Sequence, residues 1–200
     1  DAKIMLEIPC GALYDTMMIR IIPDTTRYVS GELESVYLVE PRDQLLAGPV
    51  KIKIAHSSER DESGWGLCYF SRKDRWVFLG DDRDGDYYVG PALSWELFGL
   101  ARDIDYPVIT MEFPPDSAIF SNRRPTFKAT INDSTFGVID EGLTMRLNDS
   151  VVPAEWDPPR NRFSFEPWEE LSIGEHQLVI EAVDRIGNIT TRIVYFTITP

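Results

Sequence analysis

Apolar and polar residues alternate with a period of two through most of this chain, and no long stretch carries apolar residues at the three-and-four spacing of a helix. The pattern predicts an all-β protein. Ala2 to Ile8 sets Ile4, Leu6 and Ile8 against Lys3, Met5 and Glu7, and Pro9-Cys10-Gly11 breaks the run. Short strands follow over Met17 to Ile22, closed by Pro23-Asp24, and, after a polar loop, over Ser35 to Val39, closed by Glu40-Pro41. Val50 to Ile54 is the clearest: Val50, Ile52 and Ile54 face one way and Lys51 and Lys53 the other, so one face is wet. A polar loop from His56 to Ser63 precedes an aromatic hairpin, Trp65 to Phe70 and Arg75 to Leu79, around Ser71-Arg72-Lys73-Asp74. An acidic turn, Asp81 to Asp86, leads to Tyr87-Tyr88-Val89 and then to Leu93 to Phe98. Strands this short at these turn spacings belong to a sandwich.

The second half repeats the style without repeating the sequence. Val108 to Phe113 stops at Pro114-Pro115, Thr126 to Ile131 puts Phe127, Ala129 and Ile131 on one face, and Leu143, Met145 and Leu147 do the same before Asn148-Asp149. Phe163 and Phe165 mark a short strand. Gln177 to Val183 is expected to pair with Ile189 to Ile198 across Asp184-Arg185-Ile186-Gly187-Asn188, where Gly187 and Asn188 tolerate positive φ. Trp156, flanked by prolines, and Trp168, after Pro167, read as plugs over the end of the sandwich.

Between the halves, Glu96 to Ile109 reads as a hinge: an aromatic strand ends at Phe98-Gly99, Pro107 opens a new apolar run, and Asp103 and Asp105 supply solvated backbone. With 200 residues, the expected organisation is two tandem β-sandwich domains, residues 1–103 and 104–200. A domain of about 100 residues buries roughly two thirds of the surface its unfolded chain exposes, so neither half needs a metal or disulfide staple.

Charge narrows the partners. A formal net charge of −13 argues against nucleic acid and anionic membrane surfaces, which bind through Lys and Arg clusters. No run approaches the roughly 18 apolar residues of a membrane span, and Asp1 begins without a signal peptide. Strand-like sequence close to both ends favours a C-terminal piece of a larger polypeptide.

Candidate chemistry is sparse. His176 shares strand parity with Leu178, Ile180 and Ala182 and is expected at the inner face, held by a hydrogen bond. His56 stands beside Ser57 and Ser58, but no Gly-x-Ser-x-Gly elbow occurs and no third group orients a base, so a polar loop is the expectation. Cys10 and Cys68 permit one intradomain disulfide, with buried free thiols as the alternative. They form no C-x-x-C pair, and neither histidine has a ligand neighbour at zinc spacing. Asp82, Asp84 and Asp86 alternate as D-x-D-G-D, like the start of a calcium loop, though without the later glutamate; an exposed hairpin turn is the competing reading, and calcium is the one cofactor suggested. Trp65, Tyr69, Trp76, Tyr87, Tyr88 and Trp95 crowd the first domain; exposed rings at Trp65, Trp76, Tyr87 and Tyr88 could stack on sugars, although a sandwich core uses aromatics too. With 33 carboxylates, proximity of two says nothing about catalysis without a cleft and a raised pKa.

Two stretches resemble known modules. Ile8-Pro9-Cys10-Gly11-Ala12-Leu13-Tyr14-Asp15 looks like the "IPxGALYD" start of a β-sandwich domain found in large secreted and surface proteins of Bacteroidetes-type bacteria, whose other end carries an aromatic strand finishing in "FG", like Phe98-Gly99. Asp105-Tyr106-Pro107-Val108-Ile109, Asn132-Asp133 with Gly137-Val138, Gly174-Glu175-His176 and Asp184-Arg185-Ile186-Gly187-Asn188 resemble the bacterial immunoglobulin-like pattern "D-x-x-P-x-I … D-x-x-S-G-I … G-x-H-x-L … D-x-x-G-N". The chain departs from it in having Phe136-Gly137-Val138 for Ser-Gly-Ile. The resemblance implies an immunoglobulin-like second domain and an extracytoplasmic location, secreted, periplasmic or on the cell surface. Such pairs occur as C-terminal modules behind catalytic domains, including lysostaphin-type zinc metallopeptidases, and in proteins with no enzyme; any zinc ligands would lie outside these residues. In a bacterial protein the N-x-S/T triplets at Asn132, Asn148 and Asn188 carry no expectation of glycan. The expected role is a non-catalytic spacer or interaction module serving a larger polypeptide against a polysaccharide, peptidoglycan or protein; the alternative is a carbohydrate-binding module using the first-domain aromatics.

Overall fold

In the computed structural model, residues 3–24, 33–42, 44–56, 63–73 and 75–200 are described. Most of the polar loop after Asp24, residues 57–62 of the His56–Ser63 loop with Ser57 and Ser58, and Asp74 of the aromatic hairpin lie outside them. The chain is all-β: among the described residues there is no α-helix, and no helix is long and apolar enough to cross a membrane. It divides into two compact units, Asp1–Ile104 and Asp105–Pro200.

The first unit is a sandwich of two sheets. One has the order β1 (Ile4–Glu7), β4 (Leu45–Ala55), β8 (Tyr87–Ser94), β7 (Arg83–Asp84). The other runs β2 (Arg20–Pro23), β3 (Leu33–Glu40), β9 (Leu97–Arg102), β5 (Trp65–Phe70), β6 (Trp76–Gly80). Alternation decides the inner faces: Val50, Ile52 and Ile54 of β4 are buried against Val39, Leu67, Phe98 and Leu100 of the opposite sheet. Trp95, fully buried between β8 and β9, donates its indole N–H to the Met17 sulfur at 3.1 Å, which ties the irregular segment before β2 into the core.

The strand expected over Leu93 to Phe98 is two strands in different sheets. Trp95-Glu96 is the crossing point, and β9 is a central strand of the second sheet, hydrogen-bonded to β3 and β5. The hinge-like stretch is therefore mostly core: only Asp103–Pro107 lies between β9 and β10 (Val108–Phe113). Its uninterrupted apolar run, Leu97 to Ala101, follows from burial on both faces.

The second unit places β10, β12 (Phe127–Asn132), β16 (Arg162–Phe165) and β15 (Glu155–Asp157) in one sheet, and β11 (Ala118–Phe120), β18 (Ile189–Ile198), β17 (Gly174–Val183), β13 (Thr144–Leu147) and β14 (Ser150–Val151) in the other. Lettered in chain order, these are A-B-E-D facing A′-G-F-C-C′, the immunoglobulin strand order. The edge strand β11 runs parallel to β18, and every other pairing is antiparallel. Phe127, Ala129 and Ile131 meet Met145, Leu178, Ile180, Phe196 and Ile198 in one core. The hairpin β13–β14 closes through Asn148 and Asp149, both at positive φ (49° and 66°), the primed turn that matches strand twist.

Candidate functional site

The candidates for calcium, Asp82, Asp84 and Asp86, lie on the acidic turn. Asp84 lies on β7 at a sheet edge, and its carboxylate takes a hydrogen bond from Lys53 Nζ at 2.7 Å; Lys53 also contacts Glu7. Lys53 is only 8% exposed, so its ammonium has given up most of its water and needs both carboxylates. Hydrogen bonding to Lys53 holds the Glu7 and Asp84 carboxyls below the ordinary range, and bonding to Asp84 and then Glu7 raises the Lys53 ammonium above its own. Asp82 and Asp86 are exposed and use their backbone carbonyls to hold Val89 and His56. The three carboxylates do not converge. Asp84 is on β7 while Asp82 precedes the strand and Asp86 follows the turn at Gly85, so the same-face spacing of a continuous strand does not hold, and Asp84 is paired with Lys53.

The aromatic candidates are split. Trp65 and Tyr88, each 3% exposed, belong to the core, while Trp76 and Tyr87 are half-buried. Trp76 packs edge-on against Phe70 at 5.3 Å. Trp65 and Tyr88 offer no free face for a sugar, and the row of exposed rings required by the carbohydrate reading does not form.

His56 lies between those two rings, 5.0 Å from Trp65 and 5.7 Å from Tyr88. It is buried, contrary to the expected polar loop, and Glu34 of β3 meets its Nδ1 at 2.6 Å; its Nε2 is buried without a hydrogen-bond partner among the described residues. The cysteines are free. Cys10 is exposed, and Cys68 is fully buried with its thiol donating to the Gly99 carbonyl at 3.2 Å; burial pushes that thiol's pKa far up, leaving it inert as a nucleophile.

In the second unit the polar residues close turns. Asp184, fully buried, accepts from the amides of Ile186 (2.9 Å) and Asn188 (2.8 Å) through Oδ1 and from Asn188 Nδ2 (2.8 Å) through Oδ2. Gly187, at φ 94°, completes the turn. Asp133 repeats the device, with Oδ1 accepting from the amides of Thr135, Phe136 and Gly137. His176 stacks on Phe196 at 5.2 Å and is bonded at both nitrogens: Nε2–H donates to the Ser172 carbonyl (2.8 Å), and Nδ1 accepts from Asn148 Nδ2 (2.8 Å). The orientation of Asn148 is fixed because its Oδ1 takes the Gln177 amide at 3.0 Å. The motif residues Asp133, His176, Asp184, Gly187 and Asn188 thus have structural work.

A concave site lies in the second unit. A cleft of about 400 Å³ is lined by Arg124, Thr126, Pro153, Glu155, Ser164, Phe165, Glu166 and Trp168. Trp168 does not plug the sandwich: it is 77% exposed, whereas Trp156 packs on Phe163 as expected of a cover. The loop carrying Trp168 is fixed by two arginines. Arg124 Nε donates to the Pro167 carbonyl (3.0 Å), and Arg123 Nε donates to the Leu171 carbonyl (2.7 Å) while its guanidinium pairs with Glu170 (2.8 Å). Thr126 reaches Glu166 at 3.4 Å.

No protein-family model and no curated protein matches the chain. Among solved structures, the endo-beta-1,4-mannanase from Thermotoga petrophila aligns with 48% of this chain and 20% of its own, at 15% sequence identity and a TM-score of 0.40. The chain thus spans about a fifth of that protein, and a likeness so loose carries no argument about activity.

Proposed function

We propose that this chain is a non-catalytic appendage of a larger secreted or cell-surface bacterial protein, acting as a spacer and interaction module that holds a partner part against a polymer or another protein. The observation that carries this reading is the pair of tandem sandwiches, each closed about its own hydrophobic core. The acidic surface, with a net charge of −13, favours solubility and discourages adhesion to polyanions. The buried polar groups support the same reading, because most are spent on folding: Asp184 on a turn, His176 on Asn148 and Ser172, Lys53 on two carboxylates. A general base needs a free acceptor within reach of a substrate, and these are already bonded within the fold.

The experiment is a turnover assay of the whole chain against ester, glycoside and peptide substrates, with fractionation of the source cells. The reading predicts turnover equal to buffer alone and recovery of the chain outside the cytoplasm. Turnover that disappears on substituting a single acidic or histidine side chain would contradict it.

A further inference from the structure

We infer that the cleft beside Trp168 is a binding site for a neutral polyhydroxylated ring, a pyranose unit of an uncharged glycan. Three observations carry this. The first is an indole face left in solvent. Of the five tryptophans, Trp65 and Trp95 are buried and Trp76 and Trp156 half-buried, so Trp168 alone presents most of its surface to water. An exposed ring of this size on an ordered loop is unfavourable for solubility and suited to stacking.

The second is fixation. Arg123 and Arg124 hold the carbonyls on both sides of Trp168, and Pro167 is buried. Little conformational entropy is then lost when a ligand stacks, which is what a weak single-ring contact requires.

The third is the chemistry of the lining. Arg124 supplies donors, Glu155 and Glu166 supply acceptors, and the hydroxyls of Thr126 and Ser164 supply both. Glu155 makes no ion pair or side-chain hydrogen bond among the described residues, so its carboxylate is available to two ring hydroxyls. The hydroxyls of a neutral sugar can donate to the carboxylates and accept from the guanidinium, so one ligand class uses donors and acceptors of the lining together. The volume falls at the lower end of the roughly 300–1,000 Å³ of small-molecule sites and fits one or two sugar rings.

This inference goes beyond the spacer role and stands or falls separately, since an inert spacer would pass the turnover assay whether or not it binds a sugar. The test is titration of the whole chain with cellotetraose, xylotetraose, maltotetraose and mannotetraose, followed by tryptophan fluorescence and by saturation-transfer NMR on the sugar protons. At least one sugar is expected to give a saturable change below roughly 10 mM, the range of a small, open site. Trp168→Ala should weaken it about thirtyfold or more, Trp168→Phe by less, and Glu155→Gln measurably, while Trp76→Ala leaves it unchanged. Because Trp168 is exposed, its variants should keep the wild-type melting temperature, which separates lost binding from lost fold. Silence across all four sugars would overturn the proposal. So would binding that survives Trp168→Ala, or binding of an oligolysine peptide, lost in that variant, in place of any sugar.

Discussion

His56 and His176 are both buried histidines packed against aromatic rings, one in each sandwich, and the two domains accommodate them differently. In the second domain the imidazole is bonded at both nitrogens by neutral partners, Asn148 and Ser172, and its tautomer is set. In the first it leans on a carboxylate, Glu34, and its other nitrogen has no hydrogen-bond partner among the described residues. Lys53 follows the first-domain style, an interior ammonium held by Glu7 and Asp84. Asp184 follows the second, an anion satisfied by backbone amides and an amide side chain. Carboxylates face the buried His56 and Lys53 of the first domain, whereas amides and a carbonyl face His176 and Asp184 in the second. Ion pairs are sensitive to pH and salt, whereas amide cages are sensitive to the loss of single atoms.

Among the polar groups the largest expected effect is at a cage. Asp184→Ala leaves two backbone amides and the Asn188 side chain without their acceptor, and should destabilise the second domain by about 2–4 kcal/mol in denaturant melts. Next come the two histidines. His56→Phe removes the contact between His56 Nδ1 and the buried Glu34 carboxylate and should cost about 1–3 kcal/mol, part of it recovered by adding Glu34→Gln, because an amide costs less to bury than a carboxylate. His176→Phe keeps the stack on Phe196 but orphans Asn148 and Ser172, for about 1–2 kcal/mol, with no charge change able to restore it. If Glu34→Gln rescues nothing, the contrast between the domains is wrong.

The smallest effect is a pH dependence. Glu7 and Asp84 have folded pKa values below their unfolded ones, so their pairing stabilises the fold above about pH 4, the ordinary carboxylate range, and is lost as pH falls through the depressed values. The Lys53 contribution has the opposite sign: it is present below the ordinary lysine range, near about 10.4, and lost as pH rises through the elevated folded value. Lys53→Met should therefore lower the melting temperature at neutral pH and narrow its gap to wild type on acidification towards about pH 3. A gap that does not change with pH would remove the ion-pair account.

The strands that bury one face were legible because alternation survives where one side is wet: Val108–Phe113 and Ile189–Ile198 have the ends the sequence predicts. Four strands were not: Arg83–Asp84, Ala118–Phe120, Ser150–Val151 and Glu155–Asp157 are two or three residues long, too short to display a period. The strand before the hinge was ended too early, at Phe98-Gly99, because a doubly buried strand such as Leu97–Arg102 shows no alternation. Burial of His56 depends on a carboxylate 22 residues away, which no local window contains. Trp156 and Trp168 carry the same local signal, an indole near proline, and come out oppositely. Trp156 stands opposite Phe163 across β15 and β16, whereas Trp168 rides a loop held by arginines more than 40 residues earlier in the chain.

The central claim is that each sandwich is stabilised by its own core. Native-state hydrogen exchange on Trp95→Ala and Phe127→Ala tests it, since each removes a fully buried ring and should cost about 3–5 kcal/mol. The account predicts faster exchange confined to residues before Asp105 in the first variant and to residues after Ile104 in the second. Equal acceleration across the whole chain in either variant would contradict it.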